Sequence, residues 1–434
     1  MATFKRRFGA AILLVVFSLT VTMVFINRSP VSTQLESIGL GVSNHGLWGW
    51  GSGGQRQGDG EGGTRVVVFG DSWVGDGIEE GLEGKGKGKS WPDVVYDKLK
   101  CTSYLNFAAS QPSSAFPPAG VIVSNEILKS AVAGSNSSSS TNHISETNLL
   151  PDLKSQIQSF INEATPSPTP AKTIFIISVG FWDIYNYAGL DLESAQKATD
   201  AAVNELFDQL DTLYSYYSRT VSSDNTTTHS PPFNIVVPKI MDPSLVPGWL
   251  SHRPTPPEPS NIAEHQRNAI PLTLRWNYQV EVKLKGWGQT NVTFPNKPPA
   301  ELKGTPETPI SNNNDPPSKE HMTVGKAVFY YDLAQYLIDI VIEHQLQDEG
   351  TTDAAGLGAS YTIFEDIDRP CLRETEDEDD DAEDLVQVNG HWMCKYPKEY
   401  LFWDAFNIGS VANAGIGKHV ADMVKHGRSL AGWA

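Results

Sequence analysis

The feature that most restricts what this chain can fold into is an alternation of two periodicities. Short apolar runs rich in β-branched and aromatic residues stand at residues 65–69, 104–107, 173–179 and 233–237. Longer stretches of helical period lie at residues 192–217, 328–342 and 411–424, the first with Val203, Leu206, Phe207, Leu210 and Leu213 on one face. A continuous run such as Ile174-Phe175-Ile176-Ile177 suits a strand buried on both sides. Strands alternating with helices predict α/β architecture: a three-layer α/β/α sandwich around a mostly parallel central sheet. Ligands of such sheets gather beyond the carboxyl ends of the strands, so chemistry is to be sought in the residues that follow each strand. Residues 262–285 read as two helices carrying Arg267 and Arg275, with no motif attached.

Ahead of this alternation, residues 8–26 contain no charged side chain. As a helix that run would be about 28 Å long, enough to span a bilayer. Lys5, Arg6 and Arg7 precede it and only Arg28 follows closely. The positive-inside rule then puts residues 1–7 in the cytosol and the bulk of the chain across the membrane, as in a single-pass type II protein. The competing reading is a cleaved signal peptide; against it stand the length of the run and the lack of an A-x-A-like site at residues 27–30. Residues 27–64 are rich in Gly and Ser and predict a flexible stem. Residues 65–426 then form one domain with loop insertions, followed by a short tail at 427–434.

Composition narrows the partners. A formal net charge of −18 argues against binding a phosphate backbone, so nucleic acid is not expected. N-x-S/T sequons at Asn136, Asn225 and Asn291 and only three cysteines suit a secretory or cell-surface compartment. Cys371 and Cys394 bracket an acidic segment and predict a loop-closing disulfide, which leaves Cys101 unpaired. The acidic run at 374–384 lacks the spacing and central glycine of a calcium loop and reads as solvated. No metal and no cofactor are expected. Trp249, Trp276, Trp287 and Trp403 would stack on sugar rings if they lined a cleft, although packing is the commoner role.

Four blocks at the strand ends carry the functional signal. The first strand breaks into Gly70-Asp71-Ser72-Trp73. The second ends in Asn106-Phe107-Ala108-Ala109-Ser110-Gln111, the third in Gly180-Phe181-Trp182-Asp183, and the last block is Tyr400-Leu401-Phe402-Trp403-Asp404-Ala405-Phe406-Asn407. In this order the blocks resemble those of the SGNH (GDSL-type) serine ester hydrolases, in the style of fungal and plant members, over roughly residues 65–424. The resemblance implies a flavodoxin-like α/β fold with Ser72 as nucleophile at a tight strand-to-helix turn. It implies oxyanion or cleft roles for Gly70, Asp71, Gln111, Gly180, Trp182 and Asp183, and a catalytic Asp404 beside position 407. Three of the four residues that name the family differ: Gln111 or Ser110 stands for the glycine, Trp182 for the asparagine and Asn407 for the histidine.

An amide has no useful basicity near neutral pH, whereas imidazole titrates there. Removing the histidine of a serine triad costs on the order of 10⁶ in kcat in an unrelated fold. His252 and His419 are the substitute bases considered, His419 about 18 Å along its helix from position 407. Asp183 and Asp242 are further strand-end carboxylates with a turn or N-cap as the alternative role. Three functions remain open: an ester hydrolase or acyltransferase acting on an acylated glycan or lipid in the Golgi, secretory pathway or cell surface; an inactive relative that binds a glycan or protein partner; and a structural role at the cell surface.

Overall fold

The computed structural model describes residues 63–75, 88–109, 120–135, 150–163, 170–223, 231–256, 260–289, 324–348, 364–373, 385–388 and 390–430, all within one unit, Asp59–Ala434. The expected anchor at 8–26, the stem to residue 62, Gln111, the three sequons and the acidic run lie outside the described residues. Among those residues no helix is long and apolar enough to cross a membrane.

Five parallel strands form the centre, β1 (Thr64–Gly70), β2 (Ser103–Asn106), β3 (Lys172–Ser178), β4 (Phe233–Pro238) and β5 (Lys326–Tyr331), in the order β2-β1-β3-β4-β5. One row of the sheet shows why they assemble. Leu105, Val67, Phe175, Ile235 and Val328 stand side by side across the five strands. Val67, Phe175 and Ile235 are fully buried, as befits inner strands of a covered parallel sheet.

Helices flank the sheet in two groups. Helix α1 (Trp91–Lys98) packs on α9 (Ser410–Lys425), and these reach β1 and β5. The other group comprises α2 (Asn125–Gly134), α3 (Leu153–Asn162), α4 (Phe181–Tyr187), α5 (Leu192–Ser223) and α7 (Ile262–Gln289), with α3 on β1, α5 on β4 and α7 on β5. Two further helices are α6 (Gly248–Ser251) and α8 (Leu333–Asp348). Helix α3 buries Leu153, Gln156, Ile157 and Phe160. The Phe160 ring meets Phe69, Phe107 and Phe175 edge-on, at 5.8, 5.8 and 5.7 Å. Phe175 stacks on Phe233 at 4.8 Å and meets Tyr217 of α5 at 5.6 Å. These rings are the body of the core.

Beyond β5 the chain builds two small sheets. Strand β6 (Asp366–Pro370) pairs in parallel with β10 (Tyr400–Phe402), and β9 (His391–Cys394) lies between β7 (Leu372–Arg373) and β8 (Leu385–Val388) in an antiparallel sheet. Cys371 and Cys394 are joined by a disulfide. With Leu372 and Trp403 they form a second apolar cluster, which fixes the chain where it leaves β10. Cys101 is buried and free.

Two sequence expectations need correction. Residues 328–342, expected to be helical throughout, divide: Val328 to Tyr331 belong to β5, paired with Ile235 to Pro238, and the helix begins at Leu333. β-Branched and aromatic side chains fit a pleated surface, and the free edge of β4 supplies hydrogen bonds that a local helix would otherwise make. Residues 262–285, read as two helices, lie in one helix with Pro271 inside it at an exposed position. Because Phe175 touches rings from β4, α3 and α5, Phe175→Ala is expected to destabilise the domain by about 3–5 kcal/mol, read from urea unfolding.

Candidate functional site

The site begins with a glycine that cannot be replaced. Strand β1 ends at Gly70, whose φ is +143°, a value that side chains rarely allow. A Cβ there would also run into the Ser178 carbonyl oxygen at the end of β3. The chain therefore turns in contact with its neighbour strand, and Asp71 N donates to that same oxygen at 3.3 Å. One turn follows: Val74 N and Gly75 N donate to Asp71 O at 3.1 and 3.0 Å, and Trp73 N donates to Asp71 Oδ1 at 3.1 Å.

Gln156 of α3 holds both backbone groups of Gly70. Its Oε1 accepts from Gly70 N at 2.8 Å and its Nε2 donates to Gly70 O at 2.9 Å. Gly70 O also accepts from Ala109 N, just beyond β2, at 3.1 Å. Ser72 thus stands where β1 has β2 on one side and β3 on the other, the point at which strand order reverses and crevices form. It is 7% exposed, and its Oγ makes no hydrogen bond to any described residue.

Two carboxyl groups lie beneath this turn. Asp183 of α4 is completely buried, accepts from Val123 N at 3.1 and 3.2 Å on its two oxygens, and accepts from the Tyr187 hydroxyl at 3.4 Å. Asp71 is 1% exposed. Burial pushes each of them up to about 7, and the Asp183 charge raises Asp71 further. Two buried carboxyls that feel each other resist losing both protons. Both are buried and hold backbone N–H groups, Asp71 that of Trp73 and Asp183 that of Val123, so neither is an exposed base. Asp242 is an N-cap, accepting from Ser244 N at 2.8 Å, and burial pushes it up to about 6.

At β3 the exit is again a glycine with positive φ, Gly180 at +111°, where a Cβ would strike the Trp276 ring. Trp182 follows on α4, 2% exposed, and Gly120 makes room for its indole: a Cβ on Gly120 would meet Trp182 Nε1. That Nε1 has no partner among the described residues. The Trp182 ring lies 5.1 Å from Tyr185 and 5.1 Å from Phe406. Phe406 is the residue before Asn407, so Trp182 links the β3 exit to the loop after β10.

This loop closes on itself around Asp404. Trp403 N donates to Asn407 O at 2.8 Å, and Asp404 Oδ1 accepts from Phe406 N at 2.9 Å and Asn407 N at 2.8 Å. Asn407 Nδ2 donates to both Asp404 oxygens, at 3.0 and 2.8 Å. Asp404 therefore orients the side chain at 407. What that side chain presents is an amide oxygen, Oδ1, buried and without a partner among the described residues. An amide oxygen accepts a hydrogen bond but takes no proton near neutral pH.

Gly70, Asp71, Ser72, Gly180, Trp182 and Asp183 thus meet at the ends of β1 and β3, with Asp404 and Asn407 joined to them through the Trp182 and Phe406 rings. His419 binds the Tyr331 hydroxyl through Nδ1 at 3.3 Å, over β5, three strands and about 14 Å from β1. His252 lies with its ring 5.7 Å from Phe406 and its Nδ1 2.7 Å from Ser251 Oγ. Trp249, Trp276, Trp287 and Trp403 are all buried, so their ring faces are not open as platforms for a sugar. Among the described residues no His, Cys, Asp and Glu side chains gather in a metal-holding group.

Sequence reasoning missed Gln156, although a polar side chain on the apolar stripe Leu153, Ile157 and Phe160 of a helix was the signal for it. It missed Gly120 and Arg253 also, and for these the sequence holds no local sign. No protein-family model and no curated protein matches the chain.

The carboxyl pair makes a pH prediction. Folded-state values of about 7 lie above the ordinary carboxyl value of 3.8. The stability they contribute is complete below that lower value and is lost as pH rises through about 7. The unfolding free energy is expected to fall between about pH 4 and pH 7 and to level off above, by on the order of 1 kcal/mol per pH unit for each carboxyl. Asp183→Asn should flatten that slope, measured by urea titration at both ends of the range.

Proposed function

We propose that this chain is an SGNH-type serine ester hydrolase or acyltransferase-like protein that holds an acylated glycan or lipid over Ser72, with turnover limited by the amide at position 407. The five-stranded parallel sheet with its flanking helices supports the three-layer α/β/α sandwich of that superfamily, and the order β2-β1-β3-β4-β5 is that of flavodoxin-like sheets. The single observation that carries the reading is the Gly70 turn, which puts Ser72 at the switch point between β1 and β3. Asp404 supports it by fixing the side chain of residue 407 as a triad carboxylate fixes its partner.

In this reading Ser72 meets the acyl carbonyl and Ser72 N–H faces the oxyanion, with Gln111, outside the described residues, proposed in the role of the family's glycine. Trp182 stands at the position of the family's asparagine and offers one indole N–H in its place. Lacking a base, Ser72 attacks slowly. A second reading, an inactive relative that binds a glycan or protein partner, is favoured by one observation: Ser72 Oγ has no hydrogen-bonded base among the described residues.

The same proposal includes a type II anchor at residues 8–26, with residues 1–7 cytosolic, 27–64 a stem and 65–426 luminal or extracellular, in the Golgi, the secretory pathway or at the cell surface. The disulfide Cys371–Cys394 supports an oxidising compartment. Asn136, Asn225 and Asn291 would then carry glycans, and no nucleic acid partner is proposed.

Purified full-length chain in detergent, assayed with a p-nitrophenyl ester, tests the site. Slow hydrolysis abolished by Ser72→Ala is expected, and Asn407→His, a residue with a working base, should raise the rate by about 10²-fold or more. Wild-type hydrolysis indistinguishable from Ser72→Ala, with Asn407→His folded but equally inert, would exclude the hydrolase reading and leave the binding one. Labelling of Ser72 by a fluorophosphonate, enhanced in Asn407→His, is the independent check.

A further inference from the structure

Side chains that the ester site does not use gather around Arg253, just after α6. Arg253 is 9% exposed. Its guanidinium lies 4.1 Å from the Trp249 ring centre and 4.6 Å from that of Tyr185. Nη1 donates to the Tyr185 carbonyl at 2.8 Å, and Nε donates to His265 Nδ1 at 3.0 Å. Neither partner is negative, and Arg253 forms no ion pair with a described residue. Buried guanidinium groups ordinarily face a carboxylate, because an uncompensated buried charge is costly.

Most of the groups left over here are donors; the buried Tyr185 hydroxyl beside the guanidinium, which can donate or accept, is also without a partner among the described residues. Since His265 Nδ1 accepts from Arg253, the proton of the neutral ring sits on Nε2. Burial and then the Arg253 charge pull His265 down to about 4, which keeps that ring neutral at neutral pH. His265 Nε2 and Trp249 Nε1, both buried, have no partner among the described residues. Arg253 Nη2 makes no hydrogen bond to a described residue. A Cβ on Gly189 would lie 3.3 Å from Nη2 and 3.5 Å from His265 Cε1, so glycine keeps this side of the pair uncrowded.

Donors around one positive charge call for an occupant that accepts hydrogen bonds and is negative. Water answers the first need only. One guanidinium fork matches the two oxygens of a carboxylate in its plane. A phosphate dianion would need further cations, and the net charge of −18 repels it.

We propose that Arg253, with Trp249 and His265, forms a subsite for one carboxylate group of a small organic ligand. It adjoins the candidate ester site: the Tyr185 ring is 5.9 Å from Phe406, and the His252 ring is 5.7 Å from Phe406. The ester-bearing ligand therefore carries an acidic group, such as a uronic acid or an acyl chain ending in a carboxylate. That last step rests on the ester-site reading; carboxylate binding does not.

Titration calorimetry on the full-length chain in detergent, with sodium acetate, sodium glucuronate, glucose and inorganic phosphate as probes, tests the subsite. Saturable binding of acetate and glucuronate is expected, with glucose and phosphate weaker by about tenfold or more. Arg253→Gln should weaken glucuronate by about tenfold or more. Trp249→Phe, which keeps an aromatic face and removes one donor, should weaken it by about two- to tenfold. Absence of saturable carboxylate binding, equal binding of glucose, tighter binding of phosphate, or a folded Arg253→Gln that binds unchanged would each overturn the proposal. Failure of the ester reading shows separately, in the p-nitrophenyl and fluorophosphonate assays.

Discussion

The structure depends on the contact between Gly70 and the end of β3. With no side chain at that position the backbone of β1 turns directly against the Ser178 carbonyl, and Gln156 satisfies both of its polar groups from α3. These hydrogen bonds are buried, where leaving either group unpaired would cost about 1–3 kcal/mol. The turn is therefore locked from three directions, by β3, by α3 and by the β2 exit. Ser72 inherits its place from that lock and not from contacts of its own.

What surrounds Ser72 follows from the same economy of space. Glycines at 120 and 180 let two tryptophan rings, Trp182 and Trp276, come against the backbone of the strand ends. Trp182 then carries the contact on to Phe406, so the loop of Asp404 is seated on the sheet through aromatic packing. The disulfide-clipped sheet of β7, β8 and β9 holds the other side of this loop through Leu372 N and the Trp403 carbonyl, 2.7 Å apart. The loop is positioned firmly, and within it Asp404 fixes the amide of Asn407 through both carboxylate oxygens.

Much of this was legible in the residues. Continuous apolar runs marked β1 to β4 within a residue or so of their ends, because strands covered on both faces leave no room for polar alternation. Strand β5 was not legible: Val328 and Tyr330 also fit the apolar period of the helix that follows, and only pairing with β4 separates the two. Ser72, Asp183 and Asp404 were found because they follow strands. Gln156, Gly120 and Arg253 act on residues 60 or more positions away or, for Arg253, through a fold of the chain that brings α4, α6 and α7 together, and no short-range pattern encodes such meetings. Burial of Asp71 and Asp183 together was equally hidden, since each alone reads as an ordinary turn or cap residue.

The central claim is that Ser72 is held at the β1 and β3 switch point with no base against it. The distance from Ser72 Oγ to the nearest imidazole nitrogen, taken from a crystal structure of the full chain, tests that claim most directly. A separation beyond hydrogen-bond reach, with an amide of Asn407 on Asp404, is the expected result. An imidazole nitrogen within about 3.2 Å of Oγ would contradict the account.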